Sequence, residues 1–560
     1  MLRCSVVKPL SMLLPRSLGI IVIGDEILNG GVEEVNSRII TKNAHSLGLQ
    51  VKKISTISDN LDAIAKEVRD FMHTFDIVLT SGGIGPTHDD VTYEGIAKAL
   101  NEDTYTHPEL VRVVENFYGF NSSLTISDPR TRLARVPKSS ELVYGIDNWT
   151  GRQSYFPVVK VLNIYALPGV PRLFRTSFEI IREHLRDPRI QFHSRSLFVT
   201  LDENCIATFL VELAQKYKGD VNIGSYPAFN NSYYRVRIVL DSQSAISLNA
   251  AYEEAKQFLC SAIISYEPNP IVKACQAVYE LAKEDSPLGC HVAKSIGIIE
   301  SALDQYTPPE LVVGFNGGKD CTVLLHLIYA VYCHRSGHKL EVETDTGSAP
   351  VPSDLPSFFP NLMYIRSRSV FPELENFVQQ TLQFYHLSAS SIWRPTSNLA
   401  EQKKIPVLGG LIIYEGEIKG CLADLLKDFP KVRGVFMGTR HSDPRSAHLT
   451  SMCMTDTGWP QVLRINPLLE WTYEDVWQFL RQLSLPYCSL YDVGYTSIGS
   501  MEDTHPNPEL RYVTESGRTG YRPAYLLTDS SLERSGRRRR LPNSTGHAPN
   551  KDPTPTANTS

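Results

Sequence analysis

Leu311-Val312-Val313-Gly314-Phe315-Asn316-Gly317-Gly318-Lys319-Asp320-Cys321 is an apolar run that ends in two glycines, a lysine and an aspartate; residues 321–333 behind it read as an apolar helix. A short apolar run, a glycine turn and a helix form the strand–loop–helix unit of an α/β sheet. Glycines at that junction let the backbone approach a phosphate, and the N–H groups that open the helix offer an anion site. The loop is not a Walker A loop, because that motif needs a wider glycine spacing and a Ser or Thr after its lysine, and here Asp320 follows. The plain alternative is that Asp320 only caps the helix.

Working outward, residues 362–366 and 435–438 read as further strands of the same sheet, and 268–306 as two helices in front of it. Two proline-bearing stretches, 343–360 and 388–410, interrupt this unit without a period and read as surface insertions. Upstream, residues 190–265 alternate as a small βαββα module. The chain from residue 18 repeats the strand–helix rhythm, with strands at 18–23, 51–56, 75–79 and 158–166 and helices at 33–47 and 61–72. The fold class expected is α/β: two doubly wound three-layer domains, 18–185 and 268–537, with the 190–265 module between them. A leader (1–17) precedes them, and a tail (538–560) poor in apolar residues and expected to be disordered follows.

Composition agrees with several globular units. The chain has 560 residues, a 42% hydrophobic share and a formal net charge of −5, which gives no reason to expect nucleic acid or a membrane as partner. Ten cysteines without a CxxC pair read as free thiols in a reducing compartment. The expected location is the cytoplasm. Arg3, Lys8 and Arg16 among serines give residues 1–17 the composition of a mitochondrial presequence, which Pro9 and Pro15 interrupt, so a mitochondrial form is the alternative.

A second glycine loop, Ser81-Gly82-Gly83-Ile84-Gly85-Pro86-Thr87-His88-Asp89-Asp90, follows the strand at 75–79. Its bland reading is a tight turn with Asp89 or Asp90 as helix cap. Taken with Gly24-Asp25-Glu26-Ile27-Leu28-Asn29-Gly30 and Leu167-Pro168-Gly169-Val170-Pro171, it resembles the molybdopterin-binding domain family over residues 18–178. That resemblance implies a phosphate and metal site at Gly82, Gly83, Gly85, Asp89 and Asp90, where a carboxylate beside the loop holds a divalent metal against a pyrophosphate. Binding alone or metal-dependent cleavage of a dinucleotide such as FAD would both fit, and so would a regulatory role.

Three later segments join the Lys319 loop: Gly438-Thr439-Arg440-His441-Ser442-Asp443-Pro444 after a strand; 464–477, with Trp471, Tyr473 and Trp477; and 490–499, with Tyr491, Gly494 and Tyr495. The succession resembles the PAPS reductase-like nucleotide α-hydrolase family. With Phe371-Pro372-Glu373-Leu374-Glu375, Arg522-Pro523-Ala524-Tyr525 and Glu533-Arg534-Ser535-Gly536-Arg537, it is similar to the eukaryotic FAD synthase family over 270–537. The order of the two α/β units is that of the animal members, and 388–410 is extra relative to the family.

The resemblance implies transfer of the adenylyl group of ATP to FMN, giving FAD and pyrophosphate, with Mg2+ at the phosphates and delivery of FAD to apo-flavoproteins as a further step. Phe315, Asn316, Gly317, Gly318, Lys319 and Asp320 would hold ATP, with Asn316, Lys319 and Asp320 catalytic and Asp320 on the metal. Arg440, Asp443, Tyr491, Gly494 and Tyr495 would face FMN or FAD, and Arg534 and Arg537, three apart on a helical turn, would close over the FMN phosphate and complete the catalytic set. Their bland reading is a solvated basic tail continued by Arg538, Arg539 and Arg540. Trp471, Tyr473 and Trp477 read as core more readily than as flavin stackers, and Cys321 as a packed thiol.

Three other readings compete. PAPS reduction uses a reactive cysteine near the carboxyl terminus, and none follows Cys488. A nonenzymatic flavin carrier would bind FAD without releasing pyrophosphate. Molybdenum-cofactor synthesis would account for the first unit and leave the second unexplained.

Overall fold

The computed structural model describes residues 14–118, 128–146, 153–336, 359–367, 369–387, 409–514 and 517–538. They divide into two compact units near Ile264 and Ser265, with the short segment Asn230–Tyr233 counted in the second. Most of the two expected insertions, the leader up to residue 13, and residues 539–560 lie outside the described residues.

The first unit opens with strand β1 (Arg16–Ile23), so the segment expected as a leader to residue 17 already contributes two strand residues. The strands that follow are β2 (Leu49–Ile57), β3 (Ile77–Ser81), β4 (Thr104–Thr106), β5 (Arg135–Pro137), β6 (Glu141–Val143), β7 (Val158–Val161) and β8 (Ile164–Leu167). Six of them form a sheet in the order β2-β1-β3-β8-β7-β6, parallel from β2 to β8 and antiparallel beyond; β4 and β5 pair separately. The helices are α1 (Asp25–Leu28), α2 (Asn36–Ala44), α3 (Leu61–Thr74), α4 (Thr92–Ala99), α5 (Pro108–Tyr118) and α6 (Pro171–Leu185). Strand period decides which face each residue serves. Leu18, Ile20 and Val22 enter a core with Ile40, Phe174 and Phe178 from α2 and α6, while Ile21 and Ile23 enter another with Ile64, Val68 and Ile96 from α3 and α4. Helices therefore cover both faces, as the doubly wound pattern requires. The expected single strand at 158–166 is a hairpin instead, turned at Leu162 (φ 54°) and Asn163, whose amide donates to the carbonyls of Met72 and Phe75.

The module comprises β9 (His193–Val199), α7 (Glu203–Lys216), β10 (Asn222–Pro227), β11 (Val236–Ser242), α8 (Ala245–Leu259) and β12 (Ile263–Ile264). The sheet order β10-β11-β9-β12 makes it βαββαβ, one strand more than expected: Ile263 and Ile264 pair with β9 instead of extending the helix.

The second unit begins with α9 (Ala274–Leu281) and α10 (Pro287–Gln305), the two helices expected at 268–306. Its sheet contains β13 (Leu311–Gly314), β14 (Asn361–Arg366), β15 (Leu411–Glu415), β16 (Gly434–Phe436), β17 (Met452–Met454) and β18 (Leu463–Ile465) in the order β15-β14-β13-β16-β18-β17, parallel except for β17. A small hairpin, β19 (Arg511–Val513) with β20 (Thr519–Tyr521), stands apart from it. Helices α11 (Lys319–Arg335), α12 (Pro372–Phe384), α13 (Ile418–Asp428) and α14 (Tyr473–Gln482) complete the unit. Residues Thr322 to Cys333 of α11 are buried without a break, because it packs against three helices, α9, α10 and α14. The chain runs from β13 outward to β15 and then returns to place β16 on the other side of β13. Strand order reverses between β13 and β16, and ligands of open α/β sheets bind at the carboxyl ends of strands at such a point.

Candidate active site

The loop leaving β13 and the loop leaving β16 meet at that reversal. Gly317 takes φ 72°, and Asn316 Oδ1 accepts the Gly318 N–H at 2.9 Å, which folds the loop into a tight turn ahead of α11. Gly438, after β16, lies against the first turn of α11; a Cβ there would stand 3.1 Å from the Asp320 carbonyl carbon and the Cys321 nitrogen. That close approach delivers Arg440 to the loop.

Arg440 and Lys319 are almost wholly buried, at 1% and 2% exposure. Arg440 Nε stands 2.8 Å from Asp320 Oδ1, and its Nη2 donates to both oxygens of Glu533 at 2.7 Å. Lys319 Nζ reaches Glu533 Oε1 at 2.5 Å and Asp320 Oδ2 at 3.1 Å. Two cations and two anions thus close on one another. Burial works to raise the Asp320 carboxyl, but the Lys319 and Arg440 charges outweigh it and hold the group below its ordinary value. For Arg440 burial again opposes the charge, and Asp320 and Glu533 more than restore it.

Several expected roles change. Asp320 does not cap α11, since Gly318 occupies the cap position and Asp320 sits in the first turn. Phe315 is 1% exposed and its N–H donates to the Met363 carbonyl, so its side chain belongs to the core. Arg440 does not present a free guanidinium to flavin, because Asp320 and Glu533 occupy it. Tyr491 is 2% exposed; its hydroxyl accepts the Lys319 N–H at 2.9 Å and its ring meets Trp477 edge-on, so it braces the loop and has no face free for an isoalloxazine. Gly494 closes a short turn at φ 88° and belongs to that brace. Trp471, Tyr473 and Trp477 are core, and burial pushes the Cys321 thiol up to about 12.

The others stay at the rim. Asp443 accepts the Arg440 backbone N–H at 3.0 Å and lies 3.5 Å from Arg534 Nη1, whose side chain is 45% exposed. Tyr495 is half-buried, edge-on to Phe371. Arg534 and Arg537 share one turn, closed by the Arg537 N–H on the Arg534 carbonyl at 2.9 Å, but it is not part of a helix: it follows a single 3-10 turn, and Arg537 forms a bridge to Thr504 with its guanidinium over Gly499. Arg538 donates its N–H to the Asp503 carbonyl, so ordered chain continues one residue into the expected tail.

Glu533 is the residue that sequence reasoning missed. The signal available was its place as the acidic residue opening the Glu533-Arg534-Ser535-Gly536-Arg537 motif, in a segment otherwise basic.

In the first unit the Ser81–Asp90 loop also sits at a strand reversal, between β1 and β3. Gly82 takes φ 105° with the Ile23 carbonyl oxygen 2.1 Å from where a Cβ would be, and Gly83 φ 66° against the Thr92 hydroxyl. Neither aspartate caps α4, whose cap residue is Val91. Asp90 accepts from the Thr87 N–H at 2.8 Å and from its hydroxyl, close to Gly85, while the Asp89 side chain is exposed. Burial raises the nearby Asp59 carboxyl, helped by Glu26, Asp25 and Asp89. Among the described residues no three His, Cys, Asp or Glu side chains converge to hold a metal in either unit, and no helix is long and apolar enough to cross a membrane.

Three family descriptions match the chain: a probable molybdopterin binding domain over residues 19–187, the FAD synthase middle domain over 191–268, and the phosphoadenosine phosphosulfate reductase domain over 310–506. A probable FAD synthase of Caenorhabditis elegans is 32% identical over 546 residues, covering 93% of this chain and 97% of the relative. The chain belongs to the FAD synthase family. As a FAD synthase it is a transferase, and the α/β fold class and the flavin chemistry anticipated from the sequence are those of its family. A probable FAD synthase of Schizosaccharomyces pombe is 34% identical over 248 residues, 44% of this chain and 79% of that one. Among solved structures, Candida glabrata FMN adenylyltransferase in complex with FMN and the ATP analog AMPCPP is 24% identical, covering 48% of this chain and 97% of its own, at a TM-score of 0.37.

Proposed function

We propose that this FAD synthase carries out adenylyl transfer at the Lys319 loop. The observation that supports this is the meeting of a glycine loop, a buried lysine and a buried arginine at the β13/β16 reversal. An oxygen of the FMN phosphate attacks the α-phosphorus of ATP, a new P–O bond forms, the bond to the bridging β-oxygen breaks, and pyrophosphate departs. No nucleophilic side chain is required. The Lys319 ammonium meets the phosphates of ATP, Tyr491 holds the Lys319 backbone N–H so that the first turn of α11 faces them, and Asn316 keeps the turn in shape. Arg534, exposed and loosely held by Asp443, has the freedom to close on the FMN phosphate, with Arg537 fastening the chain behind it through its bridge to Thr504. Charge stabilisation of this type contributes several kcal/mol, and in-line positioning up to roughly 7 to 11 kcal/mol.

A magnesium ion fits only as one that arrives with the triphosphate. Asp320 is the single loop carboxylate and already faces two cations, so most of the ion's oxygen ligands would come from phosphate and water, its usual preference. Bound there, the ion would neutralise charge on the phosphates. Steady-state kinetics of Asp320→Ala test the assignment. A loss of about a hundredfold or more in kcat/KM is expected, and near-native turnover with native Michaelis constants would remove Asp320 from the site.

For the first unit the reading is metal-dependent cleavage of the FAD pyrophosphate. It is supported by the Gly82 and Gly83 turn at a strand reversal, with the buried Asn36 Oδ1 lacking a hydrogen-bond partner beside Ser81 and Gly169. Full-length protein incubated with FAD and a panel of divalent metals should release FMN and AMP, and Asp90→Asn should abolish the release; intact FAD under every metal would reject it. Delivery of FAD to apo-flavoproteins, in the reducing compartment its cysteines suit, completes the proposal, and transfer faster than release into solution is its signature.

A further inference from the structure

Glu533 takes part in none of the steps above, yet it lies at the centre of the site. Its carboxylate, 8% exposed, accepts from Lys319 and from Arg440, the two buried cations beside the glycine loop. Together with Asp320 it brings the charge of the cluster to zero. A phosphate oxygen placed on Lys319 with Glu533 still there would meet a carboxylate in a water-poor pocket, where like charges repel strongly.

We propose that the Glu533 carboxylate occupies the position of a substrate phosphate in the ligand-free enzyme and exchanges with it when ATP binds. A carboxylate bridging a lysine and an arginine makes the charge-assisted contacts that a phosphate oxyanion makes. Asp320 alone leaves one of the two buried positive charges uncompensated, which is destabilising, so the pair needs a second anion whenever substrate is absent. Glu533 is also placed to let go. The backbone around it is fastened, the Glu533 carbonyl by the Thr496 hydroxyl at 2.6 Å and the Leu532 carbonyl by the Asn507 amide at 2.9 Å. It stands just beyond a single 3-10 turn and outside any longer helix, next to the exposed Arg534. Rotation of the side chain alone withdraws the carboxylate and leaves both cations facing the loop. Glu533 is therefore a positioning residue that competes with substrate for the groups it orients.

The inference rests on the reading that the Lys319 loop holds ATP phosphates, and the test separates the two. Dissociation constants for ATP and for pyrophosphate are measured by calorimetry on the full chain, native, Glu533→Gln and Lys319→Ala. Glu533→Gln is expected to bind both ligands about tenfold more tightly, and to melt at a lower temperature than native without ligand, a deficit that pyrophosphate removes. Lys319→Ala is expected to bind both about tenfold more weakly. If Lys319→Ala weakens binding while Glu533→Gln binds no more tightly than native, the exchange is overturned and the loop assignment stands. If Lys319→Ala changes nothing, the loop assignment itself fails and the exchange with it. Glu533→Asp, whose shorter arm cannot reach both cations, replaces the glutamine variant should that one not fold, and is expected to tighten binding in the same direction.

Discussion

Tyr491 turns its hydroxyl toward the N–H of Lys319 and its ring toward Trp477, so one side chain ties the phosphate loop to the aromatic core behind it. Tyr491→Phe leaves a buried N–H without its acceptor. It should cost about 1 to 3 kcal/mol of stability, read by denaturant titration, and raise the Michaelis constant for ATP by loosening the loop. His326 shows the other use of a buried polar group. Burial in the middle of α11 lowers its pKa to about 3, and its Nδ1 lies 3.0 Å from the Tyr385 hydroxyl. Above pH 6.5 neither the folded nor the unfolded chain carries this proton, so nothing is lost. Below it the unfolded chain takes up the proton and the folded one refuses it. Stability should therefore fall at about 1.4 kcal/mol per pH unit, about 2 kcal/mol by pH 5. Urea titrations at pH 7 and pH 5 check this, with His326→Leu expected to flatten the slope. Neither role was readable from the sequence, because both depend on partners far along the chain. The same holds for Glu533, whose bond to Lys319 spans 214 residues.

At the scale of elements, the glycine loops were the most legible features, since a strand, a glycine turn and a helix admit few geometries. Gly82→Ala puts a Cβ on the Ile23 carbonyl at a φ that L-residues avoid. It should destabilise the first unit by about 1 to 3 kcal/mol or more, visible as a lower melting transition. The errors arose where local chemistry gave no boundary. The apolar run 158–166 contains a hairpin whose turn is Leu162-Asn163, without the glycine or proline that usually marks one. Only a single 3-10 turn, Cys260–Ala262, separates α8 from β12, and it contains no glycine or proline to mark the end of the helix in the sequence. Arg534 and Arg537 have helical spacing, but the Thr496 hydroxyl and the Asn507 side-chain amide, donating to the Glu533 and Leu532 carbonyls, hold this segment in turns.

For the whole molecule, the order of two doubly wound units around a small module was readable because each unit repeats its own strand–helix period and carries one glycine loop at its strand reversal. The charge state of the site was not readable: sequence supplies the cations, and only the fold reveals that Asp320 and Glu533 neutralise them. The proposed function places FAD synthesis at one catalytic centre, at Lys319 in the second unit. The most direct test is a discontinuous assay of the full chain with FMN, ATP and magnesium, following FAD and pyrophosphate by chromatography, for the native protein and for Lys319→Ala. Equal molar yields of FAD and pyrophosphate are expected from the native protein, and a loss of about a hundredfold or more in the variant. Native-rate FAD formation by Lys319→Ala, or FMN and ATP binding without either product from the native chain, would contradict it.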